Sequence, residues 1–445
     1  MPAAAHWGDM ASRCCWFFAP AGLRRQQLAR GLAWSGLCCV LACVAVRPLA
    51  AQMLLRAEQA GETLNLLPSD LAILESENPR TDLPCTVTER KPELGFDLKF
   101  HTGFDVTIPM AQLAGEGDLL TVVFRVFPTA NKQRAAYFVQ HFQVPQIAED
   151  ATGDAVLEGG IDIGEGKYHV DWMMRDRAER LCSSSWDTEA TLNPKEKPIS
   201  LFIRANEVTQ TAPEPFVNDS ESGPEPERDP KVNVKLLVNF APQVQGSASL
   251  QRSDTDALVT ILKTIERNPH VDRISLVAFN IDETRVVYRQ DAEGKIDFPA
   301  LGKALRSMKL GTVNLQRLGE KHSEADFLDG LIQTEIGSST RPDAVIFAGP
   351  KAMLNADVPQ DDLKSIGVIE CPVFYLNYNL NPQAVPWKDA ISHAIRVFKG
   401  TEFTISKPRD LWFSTTEVLT RIVRSKRERS LSAASGGSVT GQALH

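Results

Sequence analysis

The stretch KVNVKLLVNF, residues 231–240, decides the fold of the second half of the chain. It is an apolar run of strand length that follows a segment rich in proline and acidic residues. From this run to about residue 423, strand-like apolar runs alternate with amphipathic helical ones. Such alternation predicts a parallel sheet wrapped by helices.

The length and composition of the chain predict two folded domains. Its 445 residues exceed one ordinary domain, which has about 100 to 200 residues. With 43% hydrophobic and 23% charged residues, the chain has the composition of a globular protein. This composition argues against wholesale disorder.

The first 51 residues have the pattern of a signal peptide, so we expect a protein that is secreted, periplasmic or held at the cell surface. An almost uncharged run, 32–46, ends before small residues at the expected cleavage site, and the basic residues in front of it are Arg24, Arg25 and Arg30. The run is short for a permanent anchor, so no membrane span is expected after cleavage. An uncleaved anchor and a lipoprotein acylated at Cys43 are the alternatives.

Charge argues against a nucleic-acid partner. The whole chain carries −8, and residues 1–51 contribute five arginines and one aspartate, so the remainder carries −12. Binding to phosphates needs a basic face.

Three cysteines remain after residue 51. Cys85 and Cys182, both in the first half, are predicted either to form one disulfide in an oxidising compartment or to be two separately buried thiols. Cys371 begins an apolar run and is interpreted as a small buried hydrophobic residue. The chain has no C-x-x-C pair, which excludes a zinc site of cysteine pairs.

Residues 52–206 are predicted to form an antiparallel β-sandwich, because apolar residues alternate with polar ones and Gly, Pro, Asn and Asp separate the runs. The stretch 166–181 reads as a hairpin with Tyr168, Val170 and Trp172 in the core, and it weakly resembles a closing strand pair of immunoglobulin-like modules. The predicted strands are 96–100, 104–108, 119–127, 136–144, 168–174 and 199–203.

Three histidines fall in these strands, namely His101, His141 and His169. Each lacks a second ligand at close spacing in the sequence, so we interpret them as strand residues rather than metal ligands.

Residues 207–230 are predicted to be a linker that keeps the two domains apart, since they hold five prolines and seven acids. Residues 425–445, rich in Ser, Gly and Ala, are predicted to be a disordered tail.

The order of elements between residues 231 and 424 resembles the von Willebrand factor type A (VWA) domain. Helices are predicted at 253–265, 299–308, 323–336, 388–398 and 410–423, and strands at 231–240, 273–279, 285–289, 343–348 and 372–376. The segments RPDAVIFAGP (341–350) and GTEFTISKPRDLWFSTTEVLTRI (400–422) are similar to the family's fourth strand and to its closing strand and helix. The resemblance implies a Rossmann-like α/β fold.

The resemblance also implies a divalent ion at the carboxyl ends of the strands, but this chain departs from the family's ligands at each place. The first loop reads Asn239, Ala241 and Gln243, or in a shifted alignment Gln245, Ser247 and Ser249, the threonine position falls on Thr312 or Ser323, and the last acid is replaced by Ala348 or Gly349. Carboxylates must balance the charge of Mg²⁺. We therefore expect a degenerate site with no metal and no cofactor.

Ligands of open α/β sheets bind outside the carboxyl ends of the strands. A ligand edge is therefore predicted near Asn239, Ser247, Ser249, Ser323, Gly349, Asn377 and Asn379.

The chain has no nucleophile elbow, phosphate loop, H-E-x-x-H or dinucleotide motif. We expect an exported, non-enzymatic protein of a bacterial-type envelope that binds another protein. A metal-dependent adhesion protein with a variant site and a cell-surface hydrolase are the alternatives.

Overall fold

The computed structural model describes residues 52–56, 66–76, 78–212, 215–218, 230–243, 247, 249–308, 323–337, 342–354, 358–367, 369–379 and 389–436. The predicted signal peptide, Cys43, Gln245 and Thr312 lie outside the described residues, as does most of the predicted linker.

Two antiparallel sheets form the first half of the chain. The five-stranded sheet has the order β1-β5-β4-β7-β8, and the four-stranded sheet has the order β2-β3-β6-β9. The strands are β1 (Gln52–Arg56), β2 (Thr86–Leu94), β3 (Phe100–Pro109), β4 (Asp118–Pro128), β5 (Ala136–Val144), β6 (Asp154–Ile163), β7 (Gly166–Arg175), β8 (Leu181–Ala190) and β9 (Val208–Gln210). A short helix, α1 (Pro68–Leu74), contributes buried Leu74 beside the five-stranded sheet.

Aromatic side chains fill the space between the two sheets. Phe104 of β3 lies edge-on to Phe124 of β4 and to Trp172 of β7, with ring centroids 5.3 and 5.4 Å apart. Tyr168, Val170 and Trp172 are buried, as the alternation in the sequence predicted, and β7 pairs with β8 as a hairpin. The two antiparallel sheets and their shared core agree with the predicted antiparallel β-sandwich. Two predicted strands are wrong: 96–100 is a tight turn that leads into β3 at Phe100, and 199–203 is a loop.

A disulfide joins Cys85 to Cys182, which lies in β8. The two Cα atoms are 6.3 Å apart and 97 residues apart in sequence. The bond fixes the chain just before β2 to the edge of the other sheet, and Cys371 remains a half-buried free thiol.

A six-stranded sheet forms the second half. Its order is β12-β11-β10-β13-β14-β15, and every pair is parallel except β11 with β12. The strands are β10 (Val232–Asn239), β11 (Val271–Asn280), β12 (Arg285–Glu293), β13 (Ala344–Pro350), β14 (Val373–Tyr378) and β15 (Thr401–Ile405). The opening strand lies in the middle of the sheet, which explains its apolar sequence.

Helices cover both faces of this sheet. They are α2 (Arg252–Glu266), α3 (Phe298–Leu305), α4 (Ser323–Ile336), α5 (Gln360–Ser365), α6 (Ala390–Val397) and α7 (Pro408–Gly436). One face of the sheet packs with α2, α3 and α7, and the core on that side continues into the core of the β-sandwich. The other face packs with α4, α5 and α6.

Two predicted boundaries need correction. The predicted linker begins with β9, which pairs with β6, so residues 208–210 belong to the sandwich. The predicted disordered tail begins inside α7, which continues to Gly436. Lys426 of this helix pairs with Asp343, just before β13, at 2.7 Å. Within the described residues, no helix has both the length and the hydropathy needed to cross a membrane.

Candidate functional site

The rim formed by the carboxyl ends of the parallel strands holds most of the residues that the sequence singled out. Asn239 and Gly349 lie side by side at the ends of β10 and β13, since a Cβ on Gly349 would lie 2.7 Å from the Asn239 carbonyl oxygen. The side chain of Asn239 accepts a hydrogen bond from the Ile281 amide at 3.2 Å. Asn377 donates to Glu402 Oε1 at 2.9 Å. These buried amides therefore hold neighbouring parts of the rim together.

The serines predicted for this edge do not gather into a ligand set. Ser247 donates to the carbonyl oxygen of Ser249 at 2.8 Å within an exposed loop. Ser323 is the first residue of α4. The variant serine site thus gains no support from these contacts.

The expectation that the rim lacks carboxylates is wrong, because Asp389 enters it as the N-cap of α6. Asp389 Oδ1 accepts from the Ala352 and Ile391 amides, each at 3.1 Å. Ser392 Oγ lies 3.1 Å from Asp389 Oδ2 and 2.6 Å from Glu402 Oε2. Burial raises the pKa of Asp389. Since these oxygens already accept hydrogen bonds, the pair fits a structural network better than a magnesium site.

A second candidate site lies where the β-sandwich meets the α/β half. Phe96 packs edge-on against Tyr378 with ring centroids 5.4 Å apart, and the Arg267 guanidinium lies 4.0 Å from the centre of the Phe202 ring. The Tyr378 hydroxyl donates to the Ser253 carbonyl oxygen. The prediction that a linker holds the halves apart is therefore wrong.

A cavity of about 670 Å³ opens at this meeting point, and we call it the junction cavity. Its walls come from β2, the turn after it, β3, β6, the segment after β9 and the first turn of α2. The lining residues with charged side chains are Arg90, Lys91, Glu93, His101, Arg252 and Asp256. The cavity thus presents groups of both charges, contributed by both halves.

His101 stands at the wall of this cavity between two carboxylates. Its Nδ1 lies 2.8 Å from Asp162 Oδ1, and its Nε2 lies 2.8 Å from Asp97 Oδ1. We call Asp97, His101 and Asp162 the carboxylate–histidine cluster. Within the described residues it is the one group of three such side chains whose ligand atoms all lie within 4.8 Å of one another.

Backbone geometry brings the three side chains together. His101 and Asp162 are direct cross-strand partners in the pairing of β3 with β6. Asp97 reaches His101 across a tight turn in which the Leu98 amide donates to the Gly95 carbonyl and the Gly95 amide donates to the Lys99 carbonyl. A Cβ on Gly95 would lie 2.5 Å from His101 Nε2, so only glycine leaves this contact free.

The charges of the cluster keep His101 protonated. Burial lowers the pKa of His101, but the hydrogen bonds to Asp162 and Asp97 and their negative charges outweigh it and raise the pKa to about 10. Burial raises the pKa of Asp162, whereas His101, Thr211 and Lys99 together bring it below its ordinary value. Thr211 donates to Asp162 Oδ1 at 2.7 Å, and Lys99 Nζ lies 3.6 Å from Oδ2.

The α/β half faces this cluster with the first turn of α2. Arg252 donates to Asp256 Oδ2 at 3.1 Å, whereas the buried Oδ1 of Asp256 has no hydrogen-bond partner. Burial raises the pKa of Asp256, and the Asp97 charge raises it further. Asp256 is therefore within electrostatic reach of the cluster across the junction cavity.

The other two histidines of the β-sandwich make different side-chain contacts. His169 lies between Asp187 at 2.6 Å and Asp171 at 3.1 Å, and Asp171 also accepts from Arg125. His141 lies 3.2 Å from Thr121 Oγ1. The interpretation of the histidines as isolated strand residues is wrong for His101, whose partner Asp162 is 61 residues away in sequence.

Comparisons with known proteins do not assign the chain to a family. No protein family matches the sequence. No curated protein matches it either. Among solved structures, a calcium-binding mutant of Bacteroides uniformis beta-glucuronidase 2 is 9% identical over 71% of this chain and 38% of that chain, with a TM-score of 0.17. The Bacteroides uniformis beta-glucuronidase is 10% identical over the same shares, with a TM-score of 0.16. The chain spans well under half of these proteins, and such TM-scores carry no argument about its fold or activity.

Proposed function

We propose that the chain is an exported, non-enzymatic protein that binds another protein at the cleft between its β-sandwich and a VWA-like α/β half. The observation that carries this proposal is the junction cavity, which both halves line with charged side chains. Ligand sites commonly lie where two domains meet.

The strand order supports a VWA-like second half. Numbered within that half, the strands follow the order 3-2-1-4-5-6, and only the third is antiparallel. The sequence predicts the same succession of strands and helices between residues 231 and 424. At the rim, Asn239 bonds the Ile281 amide, and Glu402 bonds Asn377 and Ser392. These contacts give no support for a magnesium-dependent mode of adhesion.

The chemistry of the cavity favours binding over catalysis. A histidine with a pKa of about 10 is already protonated at neutral pH, so it cannot serve as a general base there. Arginines and acids on the two walls instead suit a partner surface with charges of both signs.

Binding can be tested with the purified exported chain as bait and the secreted and envelope proteins of its source cell as prey. We expect a partner that the wild-type chain captures and that Arg252→Glu fails to capture, because the substitution reverses a charge on the cavity wall. Arg421→Glu is the matched control, since Arg421 is an exposed arginine paired with Glu417 within α7.

The proposal is contradicted if Arg252→Glu and wild type capture the same proteins in the same amounts. It is also contradicted if the wild-type chain captures no protein and turns over a substrate from a panel of esters, glycosides and peptides.

A further inference from the structure

We propose that the junction cavity binds an acidic side chain of the partner protein, with its carboxylate on the guanidinium group of Arg252 and an adjacent apolar side chain on Leu94 and Phe96. This inference rests on the proposed function and adds the chemistry by which the partner is recognised. Three observations carry it, namely the charge of the cavity lining, the unbonded nitrogens of one arginine and an apolar wall.

Positive side chains outnumber negative ones in the lining of the cavity. The carboxylates of the lining are Glu93 and Asp256, whereas its positive side chains are Arg90, Lys91, His101 and Arg252. His101 counts as positive because its pKa is raised to about 10. The acids that pair with Arg90 and His101 do not line the cavity. The surface of the cavity therefore favours an anionic group, although the chain as a whole carries −8.

Arg252, on the first turn of α2, has hydrogen-bonding capacity left for such a group. Its Nε donates to Asp256 Oδ2 at 3.1 Å, and this bond orients the guanidinium group. Within the described residues, the two terminal nitrogens of Arg252 have no hydrogen-bond partner. The side chain is 47% exposed and lines the cavity, so a ligand can reach these nitrogens. Two N–H groups of one guanidinium match the two oxygens of a carboxylate.

Lys91 brings a second unpaired positive charge from the β-sandwich. The pairing of β2 with β3 contains a β-bulge in which Lys91 and Pro92 together oppose Thr102. A bulge re-aims side chains, and Lys91 lines the cavity. In the part of the chain that the structure describes, Lys91 has no ion pair. Glu93 is instead the cross-strand partner of protonated His101. A carboxylate that enters the cavity thus meets unpaired positive charge from both halves.

The apolar part of the wall comes from the end of β2 and the turn after it. Leu94 and Phe96 are half-buried, pack against the main hydrophobic core and line the cavity. The cavity volume of about 670 Å³ lies within the range of ligand pockets, about 300 to 1,000 Å³. The cavity can therefore hold a carboxylate side chain together with an apolar neighbour.

The positive groups of the lining are side chains, which favours an internal acidic residue of the partner over its chain end. Basic side chains recognise acidic motifs, whereas backbone N–H groups typically capture terminal carboxylates. We therefore expect a Glu or Asp within a segment of the partner, beside an apolar residue.

Fluorescence anisotropy with peptide probes tests this inference on the purified chain. The probes are the acetylated and amidated pentapeptides Gly-Phe-Glu-Phe-Gly and Gly-Phe-Gln-Phe-Gly, which carry the same uncharged fluorophore and differ only in one carboxylate. We expect the Glu probe to bind at least about tenfold more tightly than the Gln probe, as hydrogen bonds to a charged group imply. A third probe, the Gln peptide with a free carboxyl terminus, represents a chain end and should bind more weakly than the Glu probe.

Arg252→Gln is expected to bind the Glu and Gln probes with nearly equal affinity, and circular dichroism checks that it is folded. Arg421→Gln is the matched control, because Arg421 also donates from Nε to an acid four residues away on a helix, namely Glu417. It should keep the wild-type preference for the Glu probe. Lys91→Gln changes an exposed residue and should lower this preference without removing it.

Equal affinity of the Glu and Gln probes for wild type, or a preference that Arg252→Gln retains in full, overturns this inference. An unchanged preference in Lys91→Gln overturns the contribution of the β-sandwich, and equal binding of the third probe and the Glu probe overturns the choice of an internal side chain. The proposed function still stands in these cases if wild type captures a protein that Arg252→Glu does not capture. A preference for the Glu probe without capture of any protein contradicts the proposed function and leaves the carboxylate subsite in place.

Discussion

His101 is the residue whose chemistry depends most directly on the tertiary structure. Its ring is held by one partner on the facing strand and by another in the preceding turn. The sequence alone presents a lone histidine in a strand, because Asp162 is distant along the chain and no spacing relates the two. Tertiary pairing of β3 with β6 creates the cluster, and only the three-dimensional structure reveals it.

The raised pKa of His101 predicts a specific pH dependence of stability. Because the folded-state pKa is about 10 and the ordinary value is 6.5, the folded chain binds this proton more tightly than the unfolded chain. The stabilising contribution is fully present below pH 6.5 and is lost as the pH rises through 10. In denaturant titrations in EDTA, the free energy of unfolding of wild type should fall at alkaline pH by this contribution. His101→Gln lacks the contribution and should not show this fall.

Equal pH profiles for wild type and His101→Gln between neutral and alkaline pH would contradict this prediction. His169→Gln serves as the control, and its profile is expected to keep the contribution of His101.

Gly95→Ala is predicted to destabilise the folded chain by about 1 to 3 kcal/mol, as overpacking does. The added methyl group would lie 2.5 Å from His101 Nε2 and 2.6 Å from Asp97 Oδ1, so the cluster must shift. Gly330→Ala in α4 is the control, since a Cβ there meets nothing within 4 Å. That substitution should stabilise the helix by up to about 1 kcal/mol. Chemical denaturation measures both, and an unchanged midpoint for Gly95→Ala would count against the packing described.

Among the strands and helices, the sequence predicts those whose hydrophobic pattern is strong. The strand Ala136–Val144 and the helix Ser323–Ile336 agree residue for residue, because clear alternation marks the first and an apolar stripe marks the second. The strand Asp154–Ile163 was missed because it contains two adjacent glycines, which are rare in strands. The strand Leu181–Ala190 was missed because polar residues dominate it. Pairing with neighbours overrides these local preferences.

The disulfide is predicted to stabilise the β-sandwich by about 2 to 5 kcal/mol, as expected for a loop of this size. It closes a segment of 97 residues between Cys85 and Cys182. The double variant Cys85→Ser, Cys182→Ser should therefore unfold at a lower guanidinium concentration than wild type. Cys371→Ser is the control, because Cys371 is a free thiol and should shift the midpoint little. A midpoint that the double variant and reductant leave unchanged would contradict the bond.

At the scale of the whole molecule, the sequence predicts the two architectures but not how they join. Composition marks residues 207–230 as a separating linker, yet aromatic contacts such as Phe96 with Tyr378 join the halves. These contacts join residues that are far apart in sequence. Packing inside their own half already accounts for most of these residues. The junction cavity therefore could not be predicted from the sequence.

The joined core predicts one cooperative unfolding transition for both halves. Phe96→Ala removes the ring that packs on Tyr378, so it should destabilise the chain by at least about 1 kcal/mol and broaden or split the transition. Phe413→Ala is the control, because Phe413 is 42% exposed on α7. Scanning calorimetry measures both variants, and two independent transitions in wild type would contradict a shared core.

Hydrogen–deuterium exchange on the purified chain, with and without a protein that it captures, tests most directly whether the junction cavity is the binding site that we propose. We predict slower exchange on binding in two segments at once, residues 90–102 of the β-sandwich and residues 250–256 at the start of α2. Protection confined to the rim, at Asn239, Ser247 to Ser249, Gly349 and Asn377, with no change at the junction, would contradict the account.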